Sequence, residues 1–226
     1  MKIIFIHIPR TAGTTIGTQI AEQVSDGAIC PAWDNSTLQK IIADGSVDNY
    51  TVFSGHFHYN TTLLIPGEKF VFTFLRSPIS RFISEILYVK NHYDVSINSD
   101  NSSNVALYDF YNRCNIEDIV ENAVENKITN RMCRHFVNDW NDCSDFSSFE
   151  TVKNRIRTLD FVGTTESLSS DLDELSFKLG IKLRCKIMNV SEKRPLFMNS
   201  EVIKKVMKLF YYDILLYKEF ERHFES

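Results

Sequence analysis

The chain predicts an α/β fold, a three-layer sandwich with a central parallel sheet and a P-loop-like anion-binding loop after its first strand. Three features predict it. Apolar runs rich in β-branched and aromatic residues at 3–8, 50–56, 70–76 and 160–165 read as strands. Helical periodicity fills the intervals between them, which implies parallel pairing through right-handed crossovers. The first strand also stops at Pro9 and gives way to "RTAGTT", a basic, small and hydroxylated stretch that leads directly into a helix.

Residues 3–8, interrupted only by His7, suit a strand covered on both faces. A helix over 14–24 follows, then a short helix near 36–43 and the strand "YTVFSGH" at 50–56. Pro66-Gly67 marks a turn before "FVFTFLR" at 70–76. The clearest helix is 78–90, where Ile79, Phe82, Ile83, Ile86 and Leu87 follow the i, i+3, i+4, i+7 spacing and Pro78 suits the first turn. Residues 91–104, rich in Asn and Ser, read as a mobile loop. Helices are expected over 116–126, 148–158 and 168–179, with a helical stretch around 128–137 and one or two amphipathic helices over 200–223. No repeat or linker breaks the chain, so 1–226 reads as a single domain.

A net charge of −4 excludes the broad basic field of a generic nucleic-acid binder, while leaving room for a local basic pocket. No apolar run approaches the length that spans a bilayer. Only six mostly apolar residues precede Pro9-Arg10, too few for a secretory signal, and the expected location is cytoplasmic. Five scattered cysteines then read as reduced thiols. Cys133, His135 and Cys143 are close in sequence, but no C-x-x-C pair or fourth ligand accompanies them, so no metal is expected. The N-x-[ST] sequons at Asn35, Asn49, Asn60, Asn101 and Asn189 read as chance in an Asn- and Ser-rich chain.

Ligands of parallel sheets bind at the carboxyl ends of the strands. Three strands carry chemistry there: Arg10 to Thr15 after the first, His56 after the second and Arg76 after the third. In the first loop Gly13 lets the backbone approach a ligand, and the following helix adds its positive end. Thr14 and Thr15 can cap that helix and hydrogen-bond an oxyanion, and Arg10 supplies charge. The spacing differs from the G-x-x-x-x-G-K-[ST] of nucleoside triphosphatases. In "RSPISRFISEILY" a helical wheel gathers Arg81, Ser84, Glu85 and Tyr88 opposite the apolar stripe. Arg76 and Ser84 are placed for a second phosphate, whereas Arg81 and Glu85 read as a solvated face. Two anion sites on adjacent strand ends fit a nucleotide phosphorylated at two separate positions.

These motifs resemble those of the PAPS-dependent sulfotransferases, in particular the carbohydrate branch that includes heparan sulfate 2-O-sulfotransferases. "PRTAGTT" at 9–15 looks like the family's 5′-phosphosulfate loop, with Arg10 where the family usually has lysine. "RSPISRFISEILY", from Arg76 to Tyr88, is similar to its 3′-phosphate segment, and "SGHFHY" to the strand end that carries its catalytic base. "FVGTTESL" and "NVSEKRP" are similar to later segments, so the resemblance runs from about residue 3 to 195. It implies PAPS as sulfuryl donor, bound by Arg10, Thr11, Ala12, Gly13, Thr14, Thr15, Arg76, Ser84, Ser191 and Arg194, with no metal. His56 would be the general base and Arg10 the cation that meets charge on the leaving phosphate. His58, two residues on, would share the face of His56 in an extended strand and reads as a partly buried histidine with one hydrogen bond. No role is assigned to His92 or His135. The acceptor would be a hydroxyl on a glycan or glycolipid. The alternatives are a nucleotide kinase-like phosphotransferase, disfavoured because no lysine follows a glycine in the loop and "FTFLR" ends in arginine, and a non-catalytic nucleotide-binding homologue.

Overall fold

The computed structural model describes residues 1–92, 109–126, 128–137, 143–185 and 198–221. Four strands, β1 (Lys2–Ile6), β2 (Val52–Gly55), β3 (Lys69–Leu75) and β4 (Phe161–Thr164), form one sheet in the order β2-β1-β3-β4. Every pairing is parallel, with Ile6 opposite Gly55 and Thr73, and Leu75 opposite Thr164. The carboxyl ends of all four strands therefore lie along one edge.

Helices α1 (Gly13–Ala21), α2 (Asn35–Ala43), α3 (Tyr59–Leu63) and α4 (Pro78–His92) connect the first strands. Helices α5 (Ile116–Glu121), α6 (Arg131–Arg134) and α7 (Phe146–Ile156) precede β4. Helices α8 (Leu168–Leu179), α9 (Ser200–Leu209) and α10 (Tyr211–Phe220) follow it. Strand parity assigns the two faces. Phe5, Phe72, Phe74 and Phe161 pack with Ile16 and Ile20 of α1 and Leu172 and Leu175 of α8. On the other face Ile6 and Leu75 meet Phe149 and Val152 of α7 and Leu216 of α10, while Ile4 and Phe53 meet Leu38 of α2. This is the expected three-layer sandwich.

Several boundaries differ from the sequence reading for identifiable reasons. β1 ends at Ile6 because the chain turns from Pro9 into Arg10, whose φ is 69°. The helical stretch expected around 128–137 contracts to α6. It starts only after Asn130, in the left-handed region at φ 44°, whose side chain holds Tyr212 N, Asp213 N and Cys143 O instead of continuing a helix. The C-terminal segment breaks at Phe210 into two helices. The expected loop 91–104 lies outside the described residues from 93 onward, as do Ser191, Arg194 and the rest of "NVSEKRP".

Candidate active site

The loop between β1 and α1 is built on two left-handed residues that are not glycine, Arg10 at φ 69° and Ala12 at φ 64°. Thr11 closes the turn, its hydroxyl donating to Ile8 O at 2.8 Å. Ala12 is the N-cap of α1 and offers no side-chain acceptor, so the expectation that Thr14 and Thr15 cap this helix is corrected: both lie inside it. The first-turn N–H groups of Gly13, Thr14 and Thr15 have no acceptor within the helix, and no acidic side chain sits in that turn. The positive end of α1 is thus open to an anion. Gly13 has a structural reason beyond ligand approach. A Cβ there would lie 1.8 Å from the His7 ring, so the loop is seated on that imidazole.

His56 follows β2 directly. Its backbone N–H donates to Trp33 O at 2.8 Å, and its Nδ1 lies 2.8 Å from His7 O. A carbonyl only accepts, so Nδ1 carries the proton and the neutral ring presents a basic lone pair on Nε2. Burial lowers the His56 pKa below its ordinary value; the His7 carbonyl and Asp34 partly oppose this, and the Arg131 charge adds to it. The neutral form therefore prevails near pH 7. The His7 ring lies 4.6 Å from that of His56, and burial holds its pKa at about 3, so it stays neutral. His58 does not share a strand face with His56, because β2 ends at Gly55 and His58 caps α3. It is buried with its ring 6.0 Å from that of His135.

The arginines converge from two strand ends. Arg76 donates to Arg10 O at 3.1 Å, and the Arg10 Nε donates to Ser84 Oγ at 3.2 Å. The Arg10 guanidinium also lies 4.4 Å from the centre of the Tyr88 ring. The sequence places Arg10 in the first anion site; its side chain reaches the second, which joins the two into one basic surface. Burial lowers the Arg76 pKa from the usual arginine range, Glu166 raises it, and the Arg10 and Arg81 charges lower it further.

The solvated face expected for Arg81 and Glu85 is corrected. Both are buried, with Arg81 Nη1 donating to Glu85 Oε2 at 2.7 Å and Arg131 of α6 holding the other carboxylate oxygen. Helix α4 is covered on both sides: Phe82 and Ile86 pack on Phe210 and Val206, while α6 brings Arg131 against the polar face. Arg10, Arg76, Arg81 and Arg131 thus lie together with the carboxyl groups of Glu85, Glu166 and Asp213, and Arg10 and Arg76 are the members at the strand ends.

Sequence reasoning missed His7, Trp33 and Arg131. The parity of β1 places His7 on the face of Phe5 beneath the loop, a signal that was available. Trp33 and Arg131 carry no local signal, because only the fold brings them to His56. Cys133 and Cys143 are both buried free thiols, and among the described residues no three His, Cys, Asp or Glu side chains are grouped to hold a metal ion.

The family model described as "Sulfotransferase family" matches residues 1–221. Among solved structures, mouse sulfotransferase SULT7A1 complexed with PAP is similar at 11% sequence identity and a TM-score of 0.40. That match covers 94% of this chain and 66% of the mouse chain, so the present chain spans just under two thirds of its length. No curated protein matches the sequence.

Proposed function

This chain belongs to the sulfotransferase family, and on that premise we propose that it transfers a sulfuryl group from PAPS to a hydroxyl acceptor with His56 as general base. The observation that carries the reading is the state of His56: its Nδ1–H is committed to His7 O, so Nε2 is free to take a proton at the edge where the arginines gather. PAPS would supply an activated sulfuryl group on a phosphate leaving group. The residues fit such a donor, since the open start of α1 and the Arg10–Arg76–Ser84 surface offer two adjoining anion sites.

In the proposed step His56 Nε2 accepts the acceptor hydroxyl proton as the oxygen–sulfur bond forms. The bond between sulfur and the bridging phosphate oxygen breaks, and its electron pair leaves with PAP. Arg10 and the first-turn N–H groups of α1 stabilise that charge. Arg76 and Ser84 hold the 3′-phosphate. Thr14 and Thr15 line the 5′ side, with Thr11 and Ala12 shaping the loop.

A single domain over 1–226, a cytoplasmic setting and a glycan or glycolipid acceptor complete the proposal. The cytoplasmic setting is supported by five free cysteines. No helix among the described residues is long and apolar enough to cross a membrane.

Calorimetry with PAP, AMP and ATP tests the donor half of the reading. PAP should bind more tightly than either, and equal affinity for PAP and AMP would remove the 3′-phosphate site. Labelled PAPS offered with glycans, glycolipids, phenols and peptides tests the transfer.

A further inference from the structure

Trp33 is a large aromatic residue that the proposed chemistry does not use, and it stands at the catalytic base. Its side chain is 55% exposed. Its backbone is fixed: Trp33 O accepts from His56 N at 2.8 Å, and the next residue bridges His56 in parallel pairing. Asp34 then caps α2, accepting from Thr37 N at 2.8 Å. The indole is set edge-to-face against two imidazoles. Its centroid is 5.0 Å from His56 at 79° and 5.6 Å from His7 at 80°. The ring is therefore a half-exposed aromatic surface held against the imidazole that would deprotonate the acceptor.

The indole stays half exposed although its burial would be favourable. Open aromatic faces flanked by polar groups suit a ligand with one apolar face and a polar edge. A pyranose has that shape: its ring C–H groups form a flat apolar face and its hydroxyls ring the edge. Asp34 and Asn35 follow the indole in sequence, and their side chains anchor it: Asp34 Oδ1 accepts from Thr37 N and Asn35 Oδ1 from His58 N. A phenol, apolar on both faces, gains most from enclosure between two walls, and among the described residues no further aromatic ring besides His7 and His56 packs on Trp33.

We propose that Trp33 is the acceptor platform and that it selects a pyranose, stacking the sugar so that one ring hydroxyl meets His56 Nε2. The proposal rests on the reading of His56 as base in a sulfuryl transfer, and its test is arranged to separate the two.

The chain has two tryptophans, Trp33 and Trp140. A Trp140→Phe variant makes Trp33 the sole indole and a direct reporter. Loaded with PAP, it is titrated with cellotetraose, chitotetraose and a glucuronate-containing tetrasaccharide by indole emission, and with 4-methylphenol by calorimetry. At least one oligosaccharide should shift the emission saturably, and 4-methylphenol should give no binding heat. In the otherwise unaltered protein, Trp33→Ala should weaken that oligosaccharide about tenfold or more, the scale of losing an aromatic anchor. Trp33→Phe should keep part of the affinity, and PAP affinity should stay unchanged in both. The proposal is overturned if no oligosaccharide shifts the emission, if Trp33→Ala leaves affinity intact, or if 4-methylphenol binds in a Trp33-dependent way. PAP heat on the same sample reports separately on the donor reading, and the saccharide titration decides the platform whatever that heat shows.

Discussion

The hydrogen bond from His56 Nδ1 to His7 O decides which nitrogen can do chemistry, and it makes a pH prediction. A base whose folded pKa lies below its ordinary 6.5 is active in its neutral form. The acid limb of kcat/KM should therefore have its midpoint below 6.5, with activity rising as pH rises through it and flat across neutrality. An acid limb centred above that value would contradict the environment described. Tyr88 gives a second test at this scale. Its ring holds the Arg10 guanidinium at 4.4 Å, a contact worth about 0.5–1 kcal/mol at an exposed site. Tyr88→Ala should weaken PAP a few-fold by calorimetry, while Tyr88→Phe, which keeps the ring, should not.

Helix α4 shows how one element serves both core and site. Its apolar stripe was legible from residue spacing, as were Pro78 at its start and the positions of Arg76 and Ser84. The burial of Arg81 and Glu85 was not, because the covering charge comes from Arg131, 46 residues away in sequence. No local pattern shows that a polar face will meet a second helix. Removing one member of a buried charge group leaves the others uncompensated, so Glu85→Gln should destabilise the fold by about 3–5 kcal/mol in urea denaturation. A loss below about 1 kcal/mol would mean that the group is solvated after all.

The same element sets an acid limit. Burial pushes the Glu85 pKa up, but the Arg131 and Arg81 charges outweigh it, so the net shift is downward from 4.5. Its contribution is complete above the unfolded value and is lost as pH falls through the folded one. Below pH 4.5 the gap in stability between the parent and Glu85→Gln should therefore narrow. The loop at 9–15 makes a parallel case. Its small residues pointed to an anion, yet the need for Gly13 comes from His7 beneath it. Gly13→Ala should cost roughly 1–3 kcal/mol of stability through overpacking and lower PAP affinity together. A stable variant with normal PAP binding would show that the loop is not seated on the imidazole.

Across the whole molecule, strand periodicity and the order of strands and helices were enough to read a parallel three-layer sheet. The rule that ligands gather at strand carboxyl ends groups Arg10, His56 and Arg76 from the sequence alone. What stayed hidden were contacts between segments distant in sequence: Trp33 against His56, Arg131 against Glu85, and Arg10 reaching across to Ser84. These depend on how layers meet, which a one-dimensional pattern does not encode. Joining the two anion sites into one surface also makes the nucleotide test quantitative. Arg76→Ala should weaken PAP more than AMP, by about 1.5–3 kcal/mol for a charge-assisted hydrogen bond. The central claim, that this edge of the sheet performs sulfuryl transfer with His56 as base, is tested most directly by PAPS turnover in His56→Ala alongside its PAP affinity. Turnover should fall by roughly 10²–10⁴-fold with PAP binding unchanged; a variant that folds, binds PAP and still turns over at the parent rate would contradict the account.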